Sequence, residues 1–135
     1  MNETALALLT LAAQFLGQPI PEQEPEIWYV PQKILQQKIC PAKNCKIEAL
    51  HDNGIILLSE SILQKDEIIQ NGILLHELVH YVQFKSGKIL TTCEGQREME
   101  DEAYALQEFY LNDNGVYLGG PIRFGAMELI CRNNK

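Results

Sequence analysis

The feature that most constrains this chain is the segment HELVH, which runs from His76 to His80. Residues four apart lie on the same face of a helix, one turn apart. A helix through this segment therefore brings two imidazoles to one ion, and Glu77 stands beside them, close enough to act on a water held there. The alternative is a helix that carries two unrelated histidines beside a surface glutamate. The segment predicts a metal-binding helix face, to be weighed against the rest of the chain.

Length and charge bound the class of protein. The chain has 135 residues, enough for one core, and we expect residues 1–135 to form a single domain. Apolar residues make up 46% and charged residues 21%, a balance typical of soluble globular proteins. The net charge of -7 argues against a nucleic-acid partner, because nucleic-acid binding needs a basic surface.

Four cysteines bear on the compartment of the protein: Cys40, Cys45, Cys93 and Cys131. An even count in a small domain permits two disulfides, which predicts Cys40–Cys45 by proximity and Cys93–Cys131 by elimination. This favours a periplasmic or secreted protein. The alternative is four free thiols in the cytoplasm.

The apolar run near the N-terminus, Ala5 to Ala13, is interpreted as a helix. It is too short to span a membrane, and it follows Glu3 rather than the positive charge of a secretory signal. The absence of a signal peptide supports the cytoplasmic alternative. We expect Thr4 to cap this helix, which should run to about Phe15 and end at Gly17. Its predicted core face consists of Leu6, Leu9, Ala13 and Leu16.

A short strand and a β-hairpin are predicted before the HELVH helix. The strand is Ile27–Val30, by β-propensity, and a short helix over residues 32–38 follows. Residues 46–50 and 55–59 flank a turn at Asn53-Gly54, a strong hairpin signal because both residues tolerate positive φ. His51 stands near this turn, where a histidine is usually solvated. We considered His51 as a third metal ligand and do not favour it.

Two helices then dominate the second half of the chain. The first is predicted from about Glu67 to Phe84, with an apolar stripe that the two histidines extend and that we expect to pack on the sheet. Gly72 interrupts it, and close approach to the sheet is one explanation. The second helix is predicted over residues 97–111, and a possible short helix follows over 124–131. The buried stripe predicted for the second helix consists of Met99, Ala103, Leu106 and Tyr110.

The second helix offers a third ligand, since a catalytic zinc site needs three protein ligands and a water. The candidates are Glu98, Glu100 and Glu102. On a helical wheel, Glu98 points away from the buried stripe, whereas the other two flank it on opposite sides. Periodicity alone does not choose between Glu100 and Glu102.

A family resemblance makes that choice. HELVH followed by Glu100-Asp-Glu-Ala103 resembles the gluzincin zinc metallopeptidases, which place a glutamate about twenty residues after the second histidine. The resemblance implies one zinc ion (Zn²⁺) held by His76, His80 and Glu100, with Glu77 as general base. It also implies an α+β fold of the minimal zincin kind, with a short strand and a β-hairpin packed on an HExxH helix and a following glutamate helix. Tyr104 stands where several gluzincins have an aspartate.

The activity implied by the resemblance is zinc-dependent hydrolysis of peptide bonds in a peptide or protein substrate, with a hairpin strand aligning the substrate backbone. Candidates on residue type for stabilising the oxyanion are Tyr104, Tyr117 and Arg123. Two other functions compete: a non-catalytic zinc-binding or sensing module, and a structural domain with no metal. Glu77 favours catalysis, because metal binding alone has no use for a general base.

Overall fold

A computed structural model describes residues 1–39, 47–88 and 91–117 of the chain. Within these residues the fold is α+β, with four α-helices and a three-stranded mixed sheet. A short 3₁₀ helix, Glu60–Gln64, follows the last strand. In chain order the elements are α1 (Glu3–Leu16), β1 (Glu26–Val30), α2 (Gln32–Ile39), β2 (Ala49–Asp52), β3 (Ile55–Ser59), α3 (Glu67–Lys85) and α4 (Cys93–Asp113).

The sheet has the strand order β1-β3-β2, with β1 parallel and β2 antiparallel to β3. The predicted hairpin is confirmed, since Asn53 and Gly54 take φ angles of 49° and 89° between β2 and β3. The expectation that His51 is solvated is wrong. It belongs to strand β2 rather than to the turn, and its ring packs against the rings of Tyr81 and Phe84 on α3.

Helix α1 is confirmed in place but differs in its cap and its buried face. Asn2, rather than Thr4, caps it, because the Asn2 side chain accepts a hydrogen bond from the backbone N–H of Ala5 at 2.8 Å. Gly17 ends it in the left-handed conformation, as predicted. Leu6 is exposed instead of buried. The face in the core consists of Ala5, Leu8, Leu9, Ala12 and Ala13.

Helix α3 is the central element of the described fold. It contacts α1, α4 and strands β2 and β3, and its side chains provide much of the core, including Leu75, Leu78, Val79, Tyr81 and Val82. Gly72 lies against α4 rather than the sheet, since a Cβ there would come within 3.0 Å of Leu111 Cδ2. The histidine side of α3 likewise faces α4, not the sheet as expected, because Gln107, Tyr104 and Glu100 all contact it.

Helix α4 begins at Cys93, four residues before the predicted start. Thr92 caps it by accepting a hydrogen bond from the backbone N–H of Gly95 at 3.0 Å. The predicted stripe is largely confirmed, since Ala103 and Leu106 are buried and Tyr110 packs against the core.

Some predictions fall outside the described residues. They are the helix over 124–131 and three of the four cysteines. Cys93 itself is disulfide-bonded, but the pairings Cys40–Cys45 and Cys93–Cys131 stay predictions. None of the helices in the described part of the chain combines the length and apolar composition needed to cross a membrane.

Candidate metal centre

The candidate site lies between α3 and α4. Both histidines of HELVH turn their Nε2 atoms towards the carboxylate of Glu100. The His76 Nε2 lies 3.4 Å from one oxygen of that carboxylate, and the His80 Nε2 contacts the other. The donor atoms of the three residues all lie within 4.8 Å of one another, so that the group could hold a metal ion. Two imidazole nitrogens and one carboxylate form a donor set that suits zinc.

Amide side chains hold the opposite nitrogen of each imidazole. His76 Nδ1 lies 2.9 Å from Gln107 Oε1, and His80 Nδ1 lies 2.8 Å from Gln83 Oε1. Metal-binding histidines usually use their second ring nitrogen in this way, and the contact orients the ring. Each ring is therefore held from behind with its Nε2 atom turned into the site.

The three glutamates of α4 have different surroundings. Glu100 faces the histidines, as the resemblance implies. Glu102 lies on the other side of the stripe, where it accepts hydrogen bonds from Gln83 Nε2 at 3.1 Å and from Lys88 Nζ at 2.7 Å. Glu98 is exposed. Of the three, only Glu100 joins the histidine pair.

Glu77 is buried beside this group, with 7% of its surface exposed. Its Oε2 atom lies 3.9 Å from His76 Nε2. Burial raises the pKa of the Glu77 carboxyl group, against the lowering effect of His76 and His80. The backbone N–H of His51 donates to the carboxylate and thereby links it to strand β2. A buried carboxylate with a raised pKa accepts a proton more readily than an exposed one, as a general base requires.

Charge is strongly coupled across the site. Burial by itself lowers the pKa of His80, but the hydrogen bond to Glu100 and the charges of Glu77 and Glu100 raise it from 6.5 to about 9. Burial by itself raises the pKa of Glu100, but hydrogen bonds from the two histidines hold it well below its usual value. Without a metal, Glu100 is thus an anion paired with a protonated His80. A divalent cation held by this group would replace that proton as the partner of the carboxylate.

His51 stays outside the donor group. Burial and the nearby His80 lower its pKa from 6.5 to about 4, so that the ring is neutral at physiological pH. Its Nε2 accepts a hydrogen bond from the backbone N–H of Gly54 at 3.1 Å. The ring therefore braces the hairpin turn against α3.

Of the two oxyanion candidates that the structure describes, Tyr104 is brought to the site and Tyr117 is not. The ring of Tyr104 lies edge-on to that of His76, with 4.4 Å between centroids. Burial and the Glu100 and Glu77 carboxylates raise the Tyr104 pKa from 10 to about 12, which keeps its hydroxyl protonated. Tyr117 is 75% exposed, and Arg123 lies outside the described residues.

Sequence reasoning missed the two glutamines. Gln83 stands three residues after His80, and Gln107 stands seven after Glu100, both spacings that return to the same helix face. That periodicity was a usable signal, although glutamine is too common on helices for the signal to be specific.

Comparisons with models of protein families, with curated proteins and with solved structures found no match.

Proposed function

We propose that this protein is a small zinc-dependent peptidase with a compact zincin-like fold, similar in its site to the gluzincins. The observation that carries the proposal is the Glu100 carboxylate facing both HELVH imidazoles, with buried Glu77 beside them. Three protein ligands leave a tetrahedral ion one position for water, the arrangement of catalytic rather than structural zinc.

The residues divide the chemistry between them. His76, His80 and Glu100 hold the zinc ion, which when bound lowers the pKa of a water towards 7 and polarises a carbonyl group. The Glu77 carboxylate accepts a proton from the water while the water oxygen attacks the scissile carbonyl carbon. As the C–N bond breaks, Glu77 returns the proton to the leaving amine nitrogen. The phenol of Tyr104, kept protonated, is a donor of the right type for the oxyanion.

Strand β2 supports a peptide substrate in extended form. It is an edge strand in the order β1-β3-β2. Residues along β2 alternate between pairs that are hydrogen-bonded to β3 and pairs that are not. Counted from the hairpin turn, Ala49 and His51 belong to the second kind, so their backbone N–H and C=O groups point away from β3. The His51 N–H accordingly reaches Glu77. A substrate that adds to this edge as a further strand lies next to the general base.

The test is Glu77→Gln, which keeps a similar shape but cannot take the water's proton. We expect the variant to bind one zinc ion like the parent and to cleave peptides roughly 10²–10⁴-fold more slowly. Cleavage is measured on a library of peptides of varied sequence by mass spectrometry. The control is Glu98→Gln, at an exposed position on α4, which should cleave at the parental rate.

Two outcomes contradict the proposal. Equal cleavage by Glu77→Gln and the parent removes Glu77 as the base. Zinc binding without cleavage of any peptide by the parent favours the non-catalytic zinc-binding or sensing module instead.

A further inference from the structure

A partly buried chain of hydrogen bonds leads from His80 away from the site. It passes from His80 Nδ1 to Gln83 Oε1 at 2.8 Å and from Gln83 Nε2 to Glu102 Oε1 at 3.1 Å. It ends at an ion pair in which Lys88 Nζ lies 2.7 Å from Glu102 Oε1, and each of these two side chains is about one third exposed. Glu102 therefore reaches His80 without touching its ring.

Gln83 has one permitted amide orientation. Its side chain is 2% exposed, and its Nε2 donates to Met99 O and Glu102 Oε1, both at 3.1 Å. The amide group has two hydrogens, so both are used. The reversed orientation would set the amide oxygen against the Met99 carbonyl oxygen and the Glu102 carboxylate, so that acceptors would face one another with no hydrogen between them.

The orientation of Gln83 decides where His80 carries its proton. Because Oε1 accepts and cannot donate, the hydrogen bond to His80 requires a proton on Nδ1. The ring must be neutral to bind a metal, and a neutral imidazole has one N–H, so its lone pair then lies on Nε2, the atom that faces Glu100. His76 is held by Gln107 instead, so the two histidines are oriented by separate contacts.

We propose that Gln83 and Glu102 are positioning residues that fix the proton of His80 on Nδ1 and reserve its Nε2 for the metal. The inference rests on the metal site of the proposed function but not on hydrolysis. Glu102, the rival candidate for third ligand, thus acts on the site through Gln83. Since Glu102 is partly exposed, it can be changed with less effect on the core than buried Gln83.

The experiment records long-range proton–nitrogen spectra of protein labelled with ¹⁵N-histidine, with and without zinc, and measures zinc affinity. The Nδ1–H signal of His80 should be present in both states of the parent, because neither a proton nor zinc at Nε2 removes it. In Glu102→Leu, Gln83 loses its charged acceptor. We expect the His80 Nδ1–H signal to weaken or disappear through exchange, with zinc affinity about 10–100-fold lower.

Three variants separate positioning from general damage. Glu102→Gln keeps an acceptor oxygen and should restore the His80 signal and an affinity close to that of the parent. Gln107→Leu should affect the Nδ1–H signal of His76 and leave that of His80. Glu98→Leu, at an exposed position of α4, should change neither histidine.

The inference is overturned by any of three results. The first is a parent protein with the His80 proton on Nε2 in place of Nδ1. The second is a Glu102→Leu variant that matches the parent in signal and zinc affinity. The third is a Glu102→Leu variant that loses the Nδ1–H signals of both histidines together. Because no peptide cleavage is measured, an inactive parent contradicts the proposed function alone. If the parent binds no zinc, spectra of the metal-free protein recorded above pH 9, where His80 is neutral, still decide which ring nitrogen carries the proton.

Discussion

Gly72 allows a quantitative test of how α3 and α4 meet. It lies one turn before His76, and a methyl group there would come within 3.0 Å of Leu111 Cδ2 and 3.3 Å of its Cγ. Leu111 is 2% exposed, so it has little room to move. Replacing a helical glycine by alanine gains about 1 kcal/mol in helix propensity, whereas overpacking a buried contact costs about 1–3 kcal/mol. With about 2 kcal/mol for the contact, Gly72→Ala should lower the free energy of unfolding by about 1 kcal/mol.

A double-mutant cycle isolates the contact. Leu111→Ala alone should cost about 2–5 kcal/mol by leaving a cavity. In that background the obstacle is gone, and Gly72→Ala should instead raise the free energy of unfolding by about 1 kcal/mol, which gives a coupling energy of about 2 kcal/mol. The assay is urea unfolding of the four proteins, followed by circular dichroism, with chelator present so that metal binding does not add stability. If Gly72→Ala has the same effect in both backgrounds, the close approach of α3 to Leu111 is refuted.

Two further predictions concern the charged groups of the site. The first compares Glu98→Ala, Glu100→Ala and Glu102→Ala by zinc affinity. Glu100→Ala should weaken zinc binding far more than the roughly 10–100-fold expected for Glu102→Ala, and Glu98→Ala should have no effect. If Glu100→Ala retains zinc and Glu102→Ala loses it, the ligand assignment is reversed. The second prediction concerns the metal-free protein, in which the pKa of His80 rises from 6.5 in the unfolded chain to about 9 on folding. The folded state holds this proton more tightly, so the stabilisation is complete below pH 6.5 and is lost as pH rises through about 9. At about 1.4 kcal/mol per pKa unit, the loss is about 3 kcal/mol. Urea unfolding of metal-free Glu100→Gln should show a much smaller decline over the same pH range, and an equal decline would contradict the pairing.

Local signals predicted most of the secondary structure. The HELVH helix was expected from about Glu67 to Phe84 and is observed over Glu67–Lys85. The hairpin turn at Asn53-Gly54 follows from the positive φ that these residues tolerate. Such features depend on neighbours in sequence, and the sequence therefore indicates them directly.

The errors arise where tertiary contacts outweigh local preference. The low helix propensity of Gly95 argued against a helix that begins before residue 97. The hydrogen bond from the Gly95 N–H to the Thr92 side chain offsets that cost and lets the helix begin at Cys93. His51 next to a turn signal looked solvated, yet β2 carries it onto the aromatic rings of α3. The parallel pairing of β1 with β3 joins residues about thirty apart, which no local pattern specifies.

The candidate site shows the same division. The i, i+4 spacing was enough to pair His76 with His80, because helix geometry fixes it. Periodicity left Glu100 and Glu102 equivalent, and the spacing of the gluzincins chose the one that the structure brings to the histidines. The role of Gln83 depends on three partners from two helices, so it emerges only from the folded arrangement.

The central claim is that His76, His80 and Glu100 hold one zinc ion. Its most direct test is elemental analysis of protein purified without added zinc, followed by zinc titration of the chelator-treated protein. The account predicts one zinc per chain, lost in His76→Ala and His80→Ala but retained in His51→Phe, since His51 lies outside the donor group. Protein that contains no zinc and takes up none on titration would contradict it.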